Sequence, residues 1–158
     1  MGLAVYGKRT TEAPPTTFEI KLGDATRQPL QDALMANPLS ALVVDDSQTV
    51  RLIITQHLNN IGISDVDMAE DGNAALERLR QRRYDLMISD WEMQPMSGEQ
   101  LLKAVRQDPK SARMPIILIT GTATRGTSWL AGANAYLPKP FTDGDFQKAI
   151  AAVFGKKL

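Results

Sequence analysis

The chain has 158 residues, 43% of them hydrophobic, which is enough for one domain with a buried core and an additional segment. Its 18 Lys and Arg balance 18 Asp and Glu, so no overall field draws it to nucleic acid or to an anionic membrane. With no Cys and one His, His57, it excludes disulfides, thiolate centres and His-rich metal sites, leaving oxygen as the ligand for any metal.

Residues 1–38 hold four of the nine prolines, eight balanced charges and few large apolar side chains, so they are expected to be a partly flexible N-terminal extension. Within them Phe18 to Leu22 alternates like a short strand, and Pro29 to Ala36 suits two helical turns. The opening MGLAVYGKRTTEAPP lacks the ordered regions of a signal peptide, and no apolar run reaches the roughly 20 residues that span a bilayer. The expected compartment is the cytoplasm.

From about residue 39 to Leu158 the pattern becomes short apolar runs alternating with helical periodicity, the signature of βα units in one domain. Strands are expected at Ala41 to Asp45, Ser64 to Ala69, Tyr84 to Asp90, Pro115 to Thr120 and Asn134 to Pro138. The first, third and fourth are continuous apolar runs that belong at the sheet centre. The helix after the first strand is expected to bury Val50, Ile53, Ile54, His57 and Leu58, and the last helix Phe146, Ala149, Ile150, Val153 and Phe154. Ser97 with Gln100 forms a capping box that opens a helix burying Leu101, Leu102 and Val105. His57 lies on the apolar or boundary face of its helix and is read as structural.

In an open α/β sheet, ligands bind beyond the carboxyl ends of the strands. Here those ends carry Asp45 and Asp46, then Asp90, then Thr120, then Lys139. Each alone suits a cap or a solvated surface position. Their occurrence at consecutive strand ends is not predicted by independent capping. If the first and third strands are neighbours, three carboxylates converge and raise one another's pKa unless a cation neutralises them, and hard oxygen ligands favour Mg²⁺. Lys139 suits a phosphoryl group as a point charge.

These residues resemble the CheY-like receiver domains of two-component response regulators, over about residues 40–158. Val43-Val-Asp-Asp-Ser47 with Arg51 is similar to the family's acidic start, and Ser89-Asp-Trp-Glu-Met93 with Met96-Ser-Gly98 to its phosphoacceptor loop. Thr120-Gly121 and Lys139-Pro140-Phe141 complete the set. The separations, 44 residues from Asp46 to Asp90 and 30 from Asp90 to Thr120, also fit.

The resemblance implies a doubly wound, flavodoxin-like α/β fold with a five-stranded parallel sheet in the order 2-1-3-4-5. It implies Asp90 as phosphoacceptor, and Asp45, Asp46, Asp90 and the Glu92 backbone carbonyl around Mg²⁺. Lys139 and Thr120 would act on the phosphoryl group, with Tyr136 coupled to Thr120 in the switch. Lys139-Pro140 resembles the family's cis peptide. The phosphodonor would be a histidine kinase or histidine phosphotransfer protein. With no effector domain after Leu158, output through contact with a downstream protein is expected, without DNA binding or membrane insertion.

Three features depart from the family pattern. The Thr120 to Lys139 interval is about three residues short, so the helix expected after Gly121 should be short or irregular. Pro95 falls one place late, and Glu92 sets an acid beside the phosphoryl pocket. Arg125 and Trp129 lie in the altered segment, where packing is their commoner role. The rival readings are a pseudo-receiver used only for binding and an aspartyl-phosphate hydrolase, which lacks room for a cap domain. A flavodoxin-like cofactor protein would need a Ser, Thr and Gly-rich loop in place of Asp45-Asp46. Residues 1–38 docked on the switch face would imply autoregulation.

Overall fold

The computed structural model describes residues 38–121 and 132–154. Among them are five strands: β1 (Ser40–Val44), β2 (Asp65–Ala69), β3 (Leu86–Asp90), β4 (Ile116–Thr120) and β5 (Ala135–Pro138). Four helices accompany them: α1 (Gln48–Asn60), α2 (Gly72–Gln81), α3 (Gly98–Gln107) and α4 (Asp143–Phe154). All the pairings are parallel, and the order is β2-β1-β3-β4-β5. The chain thus crosses from β2 over β1 to β3, which puts the reversal of strand order between β1 and β3.

β1, β3 and β4 are buried at every position, in keeping with their apolar runs. Because side chains alternate, Ala41, Val43, Leu86, Ile88, Ile117 and Ile119 face one layer, where they meet Ile54, Leu58, Phe146 and Ile150 of α1 and α4. Leu42, Val44, Met87, Ile116 and Leu118 face the other, against Ala75, Leu101, Leu102 and Val105 of α2 and α3. The capping box of Ser97 and Gln100 is formed on both sides. The expected first strand is displaced one residue toward the C-terminus, and the other four begin one or two residues early; Tyr84 and Asp85 precede β3, and Asp85 N–H donates to the Ser40 carbonyl before β3 begins.

One core assignment is corrected. Ile53 is 46% exposed, beside Leu52 at 50%, because successive helical residues turn by about 100° and Ile54 and Leu58 take the buried face. Val50 and Val153 are partly buried against the core, whereas Phe146, Ala149, Ile150 and Phe154 are within it. His57 is structural: its ring stacks on Phe146 at 5.0 Å, tilts against Phe141 at 5.6 Å, and its Nδ1 lies 2.7 Å from Asp143 Oδ1. The expected elements at Phe18 to Leu22 and Pro29 to Ala36, the irregular helix after Gly121, and Arg125 and Trp129 lie outside the described residues.

Candidate functional site

Asp45 follows β1 directly, and its N–H extends the ladder to the Ala69 carbonyl at 3.2 Å. Two contacts fix the turn into α1. The Ser47 N–H donates to Asp45 Oδ1 at 2.8 Å, and Arg51 Nη1 donates to the Asp45 carbonyl at 2.6 Å. Ser47 also caps α1, its hydroxyl accepting from the Val50 N–H. These contacts hold Asp45 at 1% exposure, while the next residue, Asp46, is exposed at the rim of the same site.

Asp90 is the last residue of β3 and is 5% exposed. The crossover described above sets β3 beside β1, and carboxylate oxygens of Asp45, Asp46 and Asp90 all come within 4.8 Å of one another. Lys139, just past β5, reaches back to put Nζ 3.1 Å from Asp90 Oδ1. Its backbone N–H donates to the Thr120 carbonyl at 2.8 Å, which ties the ends of β4 and β5 together. The Lys139-Pro140 peptide is cis, as is Gln94-Pro95.

Thr120 ends β4 and is 1% exposed. Tyr136 pairs with Leu118, two residues earlier on β4, so the alternation of strands places Tyr136 and Thr120 on one face of the sheet. Glu92 is exposed in the loop after Asp90. That loop folds back through the Gly98 N–H, which donates to the Trp91 carbonyl at 2.8 Å. A Cβ on Gly98 would strike the Asp90 carbonyl oxygen and lie 2.7 Å from the Trp91 Cα, so only glycine permits this approach.

Electrostatically the pocket is overloaded with negative charge. Burial pushes the Asp45 carboxyl above the usual range; the Ser47 N–H opposes this, and the Asp90 charge adds to it. Burial likewise pushes Asp90 up, although its hydrogen bond to Lys139 draws it the other way. Asp45 Oδ2 is buried without a hydrogen-bond partner. Three carboxylates beside one lysine, with a buried oxygen left over, are a donor set that suits a hard divalent cation such as Mg²⁺.

The structure therefore brings together Asp45, Asp46, Asp90 and Lys139, puts Thr120 at the adjoining strand end, and leaves the Glu92 side chain outside. Sequence reasoning gave no role to Arg51, Ser47 or Gly98. Ser47 was legible as a cap. Gly98 becomes informative only once the loop is seen to return against Asp90.

A doubly wound parallel sheet with an acidic cluster at its switch point, faced by a lysine just beyond the last strand, defines the class of signalling receiver domains. The chain belongs to the response regulator receiver domain family, whose pattern it matches over residues 41–151. It is 35% identical to the chemotaxis protein CheY of Pseudomonas aeruginosa over 119 residues, covering 73% of this chain and 96% of that one. Among solved structures it resembles Vibrio cholerae CheY4, with a TM-score of 0.68 and 32% identity, covering 73% of this chain and 98% of the other. It also resembles the receiver domain of a Pseudomonas aeruginosa sensor histidine kinase, a structure with a magnesium ion coordinated in the active site cleft. There the TM-score is 0.67 and the identity 28%, covering 74% of this chain and 98% of the other.

Proposed function

We propose that this response-regulator receiver accepts a phosphoryl group on Asp90 from a histidine kinase or histidine phosphotransfer protein, and signals by phosphorylation-dependent protein contacts. The observation that carries the reading is the buried Asp90 carboxylate, paired with Lys139 at 3.1 Å and flanked by Asp45 and Asp46. In the transfer an Asp90 oxygen attacks phosphorus, the phosphorus–nitrogen bond of the donor phosphohistidine breaks, and its imidazole leaves and takes up a proton. Lys139 would hold a transferred oxygen, a role supported by its contact with Asp90, and positioning with charge neutralisation supplies most of the catalysis. Asp45, Asp46, Asp90 and the Glu92 backbone carbonyl would hold Mg²⁺, which supplies the remaining positive charge when bound.

The product carries about −1.5 to −2 charges and new acceptor oxygens beside Thr120 and Lys139. Thr120 turns its hydroxyl to a phosphoryl oxygen, and Tyr136 on the same face follows into the space behind it. In this reading residues 39–158 are the receiver and residues 1–38 an extension, working in the cytoplasm. Among the described residues no helix is long and apolar enough to cross a membrane. The phosphodonor protein docks on α1, which starts at the acidic site and presents Leu52 and Ile53, both about half exposed.

Trp91 adjoins Asp90 and is partly buried against the α2 and α3 layer, so its emission reports on the site. Addition of a small-molecule phosphodonor with Mg²⁺ should change that emission reversibly in the native chain and leave it unchanged in Asp90→Asn. An equal response in the variant would count against the site.

A further inference from the structure

At the opposite end of the sheet from Asp90 lies a cavity of about 380 Å³, walled by the segments that enter β3 and β4. Its floor is apolar, with Leu79, Tyr84 and Met114, and its rim carries Arg82, Arg83, Lys110 and Arg113. Arg82 is already engaged, forking onto Asp65 and lying over the Tyr84 ring at 4.7 Å. Arg83, Lys110 and Arg113 are exposed, and no ion pair joins them to any described residue. The two acids of the lining each accept a backbone N–H. Asp85 Oδ2 accepts from the Ser40 N–H at 2.9 Å, and Asp108 Oδ1 from the Lys110 N–H at 3.0 Å. The cavity therefore offers three uncommitted cations around an apolar floor.

We infer that this cavity is the docking site of the chain's own N-terminal segment, residues 11–37, held by its carboxylates against Arg83, Lys110 and Arg113. Two observations select this occupant. The segment joins the domain at the cavity, because the Ser40 backbone is bonded to Asp85 in its wall. Charge is also complementary: residues 11–37 carry Glu12, Glu19, Asp24 and Asp32 against Lys21 and Arg27, a net −2. The nearest acid, Asp32, is eight residues from Ser40, a reach of about 26 Å when extended, so the cavity lies well within range. A short tether raises the effective concentration to the millimolar range, which lets modest ion pairing hold the segment.

Docking here puts the segment one strand length, roughly 17 Å, from the phosphorylation end. It leaves the Asp90 pocket open, in contrast with an extension folded over the switch face.

The chain has no Cys, so pairs of them can be introduced at will into the full-length protein. Ala33→Cys with Ala112→Cys, in the lining, is compared with Ala33→Cys with Gln56→Cys, exposed on α1. Under dilute oxidising conditions the first pair should close intramolecularly roughly tenfold faster than the second, and the advantage should vanish when Arg83, Lys110 and Arg113 are changed to Glu. Changing Glu19, Asp24 and Asp32 to Lys in that charge-reversed chain should restore it. Equal rates for the two pairs, or an advantage indifferent to charge reversal, would overturn the assignment. Disulfides forming between two molecules would give the cavity to a second copy and overturn it as well.

Discussion

Lys139 Nζ stands 3.1 Å from Asp90 Oδ1, a direct ion pair between the end of β5 and the end of β3 that is 38% exposed on the lysine side and 7% on the carboxylate side. Removing the lysine leaves a buried carboxylate beside Asp45 and Asp46 without its cation. Lys139→Met should therefore slow labelling by a small-molecule phosphodonor by about 10²-fold, the usual effect of deleting one donor to a developing oxyanion. The rate measured by quenched-flow mass spectrometry checks it.

Asp45 makes a prediction about stability. Burial raises its carboxyl pKa above the unfolded value, so the folded chain holds this proton more tightly than the unfolded one. Its contribution to stability is greatest below the unfolded carboxylate range, about pH 3.9, and declines as pH rises through that range to the raised folded value. Once ionised, and without divalent cations, the side chain is an unfavourable buried charge. Asp45→Asn should stabilise the metal-free protein by on the order of 1 kcal/mol while abolishing stabilisation by Mg²⁺. In the native chain Mg²⁺ at ten times its dissociation constant should add about 1.4 kcal/mol. Thermal melting with and without Mg²⁺ separates the two.

Gly98 lies where the loop after Asp90 returns to start α3, and any Cβ there meets the Asp90 carbonyl and the Trp91 backbone. Neither is the movable end of a side chain. Gly98→Ala should lower stability by about 1 to 3 kcal/mol, and because the strain falls on Asp90 itself it should also slow labelling. Chemical denaturation with a phosphodonor assay on the folded fraction distinguishes the two effects.

Much of the fold was legible because burial on both faces leaves a continuous apolar run. Val43-Val44, Leu86 to Ile88 and Ile116 to Ile119 could hardly lie elsewhere than the sheet centre. The acidic residues, Thr120 and Lys139 were legible as strand ends. Ile53 was misplaced because a helix lying on a sheet buries a narrower stripe than its apolar residues suggest. Long-range polar contacts left no periodic trace at all. Arg106 is the clearest case, since its partners are carbonyls of irregular segments.

The Arg106 guanidinium donates to the carbonyls of Gly132, Ala112 and Met114 at 2.8, 3.1 and 2.7 Å, and to Asn134 Oδ1 at 2.9 Å. It thereby fastens α3 to the entries of β4 and β5, and burial draws its pKa down. Arg106→Ala should cost about 2 to 3 kcal/mol by stranding these acceptors. Arg106→Lys should recover only part of that, because an ammonium cannot span the same fork of acceptors. Urea denaturation of the two variants tests this.

The most direct test of the central claim is the intact mass of the protein after incubation with a small-molecule phosphodonor, with and without Mg²⁺, for the native chain and Asp90→Asn. One added phosphoryl group in the native chain, dependent on Mg²⁺ and absent from Asp90→Asn, is the expected result. A folded native chain that takes up no phosphoryl group, or a variant labelled as readily, would contradict the assignment of Asp90 as phosphoacceptor.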